Sequence, residues 1–270
     1  MHADWRRHVP SLILAVICLV FVASYIVSIS LMIVRIGGQD YMVLADDAYI
    51  TLRYASHLAE GEGIVWNRGD EPLEGGTSFL WVLLLAAAYR FMSDPALPLV
   101  IFCAFLHLVS LLLLWKLLGR LGLAAGFRIA GVLVLSVDWS MRHQVLTGME
   151  YPLLITLFLG ALLILAAHEP GRTPTRAKVL CAVLAGALPL VRPEALLLTL
   201  IVFACACARW QLGWRRPWLA LIWLGAYLLP IVLLSLFRIG YFGEWVPNTY
   251  FLKVTSSGER IRRGIEYTYS

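Results

Sequence analysis

Asp46 and Asp47 are the side chains of this sequence whose type and spacing most readily do chemistry. They open a stretch, Asp47 to Glu60, in which Ala48, Leu52, Ala55 and Ala59 recur at helical spacing. At a helix start a carboxylate accepts free backbone N–H groups and favours the helix dipole. One carboxylate suffices for that, and two adjacent ones repel, so the pair also reads as an ionisable functional site. Their hard oxygens suit Mg2+ or Mn2+, which leaves a divalent cation open as a cofactor. Arg53 follows Asp46 by seven residues, two helical turns, and falls on a similar face. It reads as a solvated surface arginine, an ion-pair partner or a phosphate ligand. Glu74 and Thr77 precede the next apolar run and can face the same vestibule. The six His are scattered without metal-ligand spacing. The five Cys sit inside apolar runs, where a thiol acts as a small hydrophobe. No glycine-rich dinucleotide or Walker loop marks a soluble nucleotide site.

The elements that must hold these residues are apolar helices. Hydrophobic residues make up 60% of the 270 and charged ones only 14%, against about 25% charged in soluble domains. A soluble core of this length could not hide so much apolar surface, so the excess faces lipid. The runs are continuous rather than alternating, which excludes a transmembrane β-barrel. The expected fold is an all-α polytopic membrane protein. Its net charge of +5 comes from cations that flank the apolar runs. That pattern is a topology signal, so no nucleic-acid partner is expected.

Arg6 and Arg7 precede the run Ser11–Val34, which is long enough to span a bilayer. This predicts a cytoplasmic N-terminus over 1–10 and a first transmembrane helix over 11–34. Residues 35–77 are then extracytoplasmic and hold the aspartate pair on a short interfacial helix, ended by Gly61 and Gly63. Residues 78–238 read as a transmembrane helix bundle. Residues 239–270 read as an extracytoplasmic segment, whose last stretch resembles another interfacial helix cut short. Within the bundle, cations cluster at Lys116, Arg120 and Arg128, at Arg172, Arg176 and Lys178, and at Arg209, Arg215 and Arg216. The last two clusters bracket 179–208 and predict a helical hairpin with Arg192-Pro193-Glu194 at its extracytoplasmic tip. One kinked helix would instead bury Arg192 in mid-membrane. Between Thr77 and the loop at 168–178 the crossings must be odd in number, yet four apolar segments appear: 78–92, 96–118, 128–141 and 151–167. One of them is re-entrant or interfacial, and the short 128–141 segment with Asp138 is a suspect.

The string from Asp46, DDAYITLRYASHLAEGEGIVWNRGDEPLEGGTSFLW, resembles the first-loop signature of bacterial GT-C glycosyltransferases. It is most similar to the terminal arabinofuranosyltransferase-like branch. Three later pieces agree in order and spacing. Thr147-Gly-Met-Glu150-Tyr-Pro-Leu resembles that group's Gly-Leu-Glu-Thr-Pro-Leu motif. Val191-Arg-Pro-Glu194-Ala resembles Arg-Pro-Glu-Gly. Tyr241 to Val254 resembles its Pro-Asn-Thr-Tyr-x-x-Lys-Val segment. Met149, Tyr151 and Ala195 depart from the group's usual residues.

The resemblance implies a membrane glycosyltransferase that moves a sugar from a polyprenyl-phosphate donor to an extracytoplasmic glycan or lipid acceptor. It implies an acidic general base in the first loop, Asp46 or Asp47, with Asp46 slightly favoured. A carboxylate there takes the acceptor hydroxyl's proton as the glycosidic bond forms. Cations stabilise the departing phosphate, with Arg53, Arg192 and Lys253 as candidates. The matching motifs add Tyr54, Glu74, Glu150, Glu194 and Asn248 as donor- or substrate-binding positions. The implied location is the cell membrane, multi-pass, with membrane lipids as neighbours. A non-catalytic lipid-binding subunit and a lipid or solute transporter are the competing readings.

Overall fold

The structure is a computed structural model, and it describes residues 5–168, 172–211 and 217–245. Helix α1, Trp5–Leu31, is apolar along nearly its whole length. It stops three residues before the expected end at 34. Ile33–Ile36 (β1) and Gln39–Met42 (β2) instead pair antiparallel, with Ile36 opposite Gln39. The cause is local. Gly37 and Gly38 both take positive φ, 60° and 85°, which a two-residue hairpin turn requires. The β-branched residues before them favour a strand over a further helical turn.

Helix α2, Asp46–Glu60, begins one residue earlier than periodicity predicts and ends where expected. Gly61 stops it at φ 89°, with its N–H returned to the His57 and Leu58 carbonyls. The buried residues Ala48, Leu52, Tyr54 and Ala55 form one face, and α2 packs against α3, Phe79–Tyr89. Arg90, just past α3, donates from Nη1 to the Ala59 carbonyl at 2.8 Å and ties the two helices at that end. The 11 residues of α3 rise only about 16 Å, roughly half of the ~30 Å hydrocarbon core.

The bundle continues with α4 (Ala96–Arg120), α5 (Ala125–Val137), α6 (Trp139–Leu146), α7 (Tyr151–Ala167), α8 (Thr175–Val191), α9 (Leu196–Trp210) and α10 (Pro217–Phe242). Asp138 splits the suspect 128–141 segment into α5 and α6, because its Oδ1 caps the Met141 N–H at 2.7 Å. Among the described residues, four helical stretches are long and apolar enough to cross a membrane: His8–Leu31, Ala96–Arg120, Pro193–Trp210 and Ala220–Phe242.

Side-chain contacts fix the helix directions. Arg128 stacks 3.8 Å over the Trp115 ring, and His107 lies 3.1 Å from the Leu135 carbonyl, so α4 and α5 are antiparallel. Cys103 approaches the Met149 carbonyl and Ser110 meets Thr156, so α7 runs parallel to α4. Helix α8 returns against α7, with Cys181 beside the Ala161 carbonyl and Leu184 beside Gly160. Thr199 Oγ1 donates to the Ala185 carbonyl at 2.7 Å, which closes the α8–α9 hairpin around Arg192. Tyr227 reaches Cys181 and Pro230 reaches Gly186, so α10 runs parallel to α8. A Cβ on Gly186 would lie 2.7 Å from the Tyr227 carbonyl. That is the close backbone approach small residues permit between membrane helices.

These directions sort the helix ends. The N-termini of α4, α7 and α9 and the C-termini of α5, α8 and α10 share one end of the bundle. The cation clusters at Lys116 to Arg128, at Arg172 to Lys178 and at Arg209 belong to the opposite end.

Candidate active site

At the first of these ends lies a cavity of about 120 Å3. Asp47, Ile50 and Thr51 of α2 line it, with Gly75 to Ser78 from the following loop, Met149 and Glu150 before α7, and Arg192 after α8. Three motifs separated by tens of residues in sequence thus meet in one place.

Glu150 is only 2% exposed. Its Oε1 accepts from Ser78 Oγ at 2.8 Å and from Arg192 Nη1 at 2.7 Å. Arg192 also donates from Nε to Glu194 Oε1 at 2.7 Å, and its guanidinium lies 4.9 Å from the Tyr151 ring centre. Burial disfavours the Arg192 charge, but the hydrogen bonds to Glu194 and Glu150 outweigh it and hold its proton more firmly than usual. The hairpin tip therefore presents a fixed cation between two carboxylates. Such a buried pair requires its third partner, here Ser78, to satisfy the remaining lone pairs.

The turn Thr147–Glu150 aligns the two halves of the cavity. The Ala45 N–H points to the Thr147 carbonyl at 3.5 Å, and Trp81 Nε1 donates to the Gly148 carbonyl at 3.3 Å. Gly148 sits at φ 77° with its absent Cβ only 3.1 Å from Leu99. The turn therefore needs glycine. It couples the first residue before α2 to the first residue of the Glu150 shelf.

The aspartates do not cap α2. Ala45 occupies the N-cap position, and no side chain closes it. Both carboxylates lie exposed in the first turn. Asp47 lines the cavity and Asp46 is not among its lining residues. Of the two, it is Asp47, not the slightly favoured Asp46, that adjoins the cavity.

The other expected positions divide. Thr77 lines the cavity, but Glu74 does not. Glu74 is 4% exposed and forms a bidentate pair with Arg238 of α10, with N···O distances of 2.7, 2.8 and 3.1 Å. Its role is to dock the loop, which corrects the expectation that it faces the vestibule. Arg53 points to the loop rather than to Asp46. It donates to the Trp66 carbonyl and to Asn67 Oδ1, both at 2.7 Å, and stacks 4.3 Å over the Trp66 ring. Tyr54 is buried with its hydroxyl against Gly75, and burial raises its pKa above the ordinary value. A Cβ on Gly75 would sit 2.3 Å from that hydroxyl, so this glycine makes room for the ring. Asn248 and Lys253 lie outside the described residues.

The sequence reading passed over Arg238 and gave Tyr241 only as the start of a matching segment. Arg238 and Tyr241, near the end of α10, both hold the first loop. Tyr241 Oη accepts the Ile64 N–H at 3.1 Å, and a Cβ on Gly63 would meet the same hydroxyl. The available signal was a lone arginine closing an apolar run, which reads as a boundary charge rather than a buried one.

Among the described residues no group of three or more His, Cys, Asp or Glu is close enough to form a ready cation cage. Of the pair that would hold a Mg2+ or Mn2+ ion, Asp47 lies at the cavity and Asp46 outside its lining. Magnesium sites at phosphates commonly use only one or two carboxylates. Such an ion would supply charge neutralisation to a bound anion.

No family model matches the chain, and no solved structure matches it. Among curated proteins, the terminal beta-(1->2)-arabinofuranosyltransferase of Mycobacterium tuberculosis (strain ATCC 25618 / H37Rv) is 32% identical over 247 residues. The match supports the arabinofuranosyltransferase-like branch of the GT-C glycosyltransferases. It covers 86% of this chain and so takes in most of the segments that meet at the cavity. The chain spans 38% of that relative's length.

Proposed function

We propose that this protein is a membrane glycosyltransferase that moves a sugar from a polyprenyl-phosphate donor to an extracytoplasmic glycan or lipid, with Asp47 as the general base. The observation that carries the proposal is the meeting of Asp47 with the Glu150–Arg192 pair around one cavity at one end of an apolar helix bundle. The relative's name makes arabinofuranose the first donor sugar to try.

The cation distribution supports the orientation. The clusters at Lys116 to Arg128, at Arg172 to Lys178 and at Arg209 lie at the end away from the cavity, and loops with clustered positive charge face the cytoplasm. The short α3 then remains at the outer interface beside α2. Helices α4, α5 and α7 supply three crossings between the first loop and the cationic loop at 168–178. An odd number is what that segment requires.

The reaction assigned to the site balances without further reagents. The acceptor hydroxyl gives its proton to the Asp47 carboxylate as its oxygen bonds to the sugar's anomeric carbon. The bond from that carbon to the phosphate oxygen breaks, and its electron pair leaves with the polyprenyl phosphate. General base catalysis of this kind contributes about 10^2–10^4-fold. Arg192, held by Glu150 and Glu194, keeps Nη2 for the donor's polar end, and Glu150 and Ser78 fix its position. Asn248 and Lys253 are assigned to the donor phosphate on their motif alone. Arg53, Tyr54 and Glu74 shape the loop rather than touch the donor.

The test is direct. The full chain in lipid nanodiscs is given a radiolabelled polyprenyl-phosphate arabinofuranose and a short arabinan acceptor. The proposal expects extended acceptor and released polyprenyl phosphate in equal amounts. Donor hydrolysis or lipid movement between leaflets without extended acceptor would overturn it.

A further inference from the structure

Arg142 is an internal cation that the proposed reaction leaves unexplained. It lies on α6, half-buried against α1. Its Nη1 donates to Ser24 Oγ at 3.1 Å, and its Nη2 donates to the Ser24 carbonyl at 3.1 Å and to Ser28 Oγ at 2.5 Å. Its guanidinium also lies 4.8 Å from the Tyr25 ring centre, whose hydroxyl is bonded to His107. All of these partners are neutral. Among the described residues no carboxylate pairs with Arg142, whereas Arg192 and Arg238 each have one. The nearest acid in sequence, Asp138, uses Oδ1 on the Met141 N–H. A cation between membrane helices normally has a counter-charge.

A groove of about 410 Å3 opens from this guanidinium between α1 and α5. Val16, Val20 and Phe21 form one wall, and Leu133 and Val137 the other, with Arg142 closing one end. From Ser24 down to Val16 the groove follows α1 for about 12 Å. Its rim residues Val16, Val20 and Val137 are 52%, 64% and 73% exposed, so it opens sideways, where lipid would stand. It shares no lining residue with the Asp47 cavity.

We propose that Arg142 and the α1–α5 groove bind an anionic phospholipid of the bilayer, with the phosphate at the guanidinium and one acyl chain along the groove. Charge complementarity selects the headgroup, and the apolar walls exclude a free phosphate. The polar end lies near the α1 C-terminus, and the groove descends towards the middle of the helix, as a lipid anchored at one leaflet does. Bound there, the lipid staples α1 to the α5–α6 break.

Native mass spectrometry of the full chain tests this after exchange into detergent containing phosphatidylglycerol or phosphatidylcholine. The wild type is expected to hold one phosphatidylglycerol per chain and about tenfold less phosphatidylcholine. Arg142→Gln is expected to lose phosphatidylglycerol about tenfold, and Arg142→Lys to keep most of it. Asp47→Asn keeps the lipid in full, which separates this site from the proposed catalytic one. Val20→Trp fills the groove and is expected to lose the lipid while its melting temperature shows a folded bundle; it decides the matter if Arg142→Gln does not fold. Equal retention by folded Arg142→Gln, retention by Val20→Trp, or no preference between the two lipids would overturn the proposal. So would displacement of phosphatidylglycerol by polyprenyl phosphate at equal concentration, which would make the groove a donor site. Retention of inorganic phosphate in place of lipid would overturn it as well.

Discussion

Glu74→Gln separates docking from substrate binding at a position where sequence and structure disagree. The Glu74 and Arg238 side chains are 5% and 10% exposed, so solvent barely screens their attraction. Three N···O contacts between 2.7 and 3.1 Å join them. The amide keeps the shape but leaves the guanidinium buried without its counter-charge. Breaking one side of such a pair costs about 3–5 kcal/mol. For a chain of this size that corresponds to a fall in melting temperature of about 6–20 °C, by scaling from soluble domains. The loss should be local as well, because the pair fastens the loop before α3 to α10. Amide exchange in residues 61–78 should therefore accelerate more than exchange in α7 or α8. Replacing both partners, Glu74→Leu with Arg238→Met, should recover much of the loss, since apolar pairs of similar volume often substitute for buried ion pairs. Unchanged melting and exchange in Glu74→Gln, together with a raised KM for donor, would refute the reasoning and return Glu74 to the substrate.

Other positions give sharper contrasts. Gly75→Ala should displace the Tyr54 ring, which lies within 2.9 Å of the new methyl, and cost about 1–3 kcal/mol; Gly76→Ala, with nothing within 4 Å, should melt like the wild type. Asp138→Ala should remove the α6 cap and cost about 1 kcal/mol by thermal melting in detergent. Arg53→Ala should free the Trp66 segment, seen as red-shifted tryptophan emission and faster proteolysis at 66–70. Arg53→Lys should not restore it, because lysine lacks the planar fork that serves two acceptors and stacks on the ring.

Local features were the ones legible in the sequence. Helix α2 announces itself by spacing and by Gly61, and the turn at Arg192 by the cations on either side of it. The β1–β2 hairpin was also within reach, since Gly37-Gly38 after β-branched residues is a turn signal. The apolar run simply masked it, and the expected helix was carried on to 34. The pairs that build the site were not legible. Glu74 and Arg238 are 164 residues apart, Glu150 and Arg192 are 42 apart, and no periodicity records such meetings. For the same reason the sequence favoured Asp46 slightly and did not single out Asp47. Only the turn of α2 beneath Ala45, and the Thr147–Glu150 shelf facing it, distinguish the carboxylate at the cavity from its neighbour.

The most direct measurement is kcat/KM for sugar transfer by Asp46→Asn and Asp47→Asn, each in the full chain and each checked for unchanged melting. Asp47→Asn should fall by about 10^2–10^4-fold, the usual contribution of a general base, while Asp46→Asn stays within about tenfold of wild type. Full transfer by Asp47→Asn, or a collapse confined to Asp46→Asn, would contradict the assignment of the base.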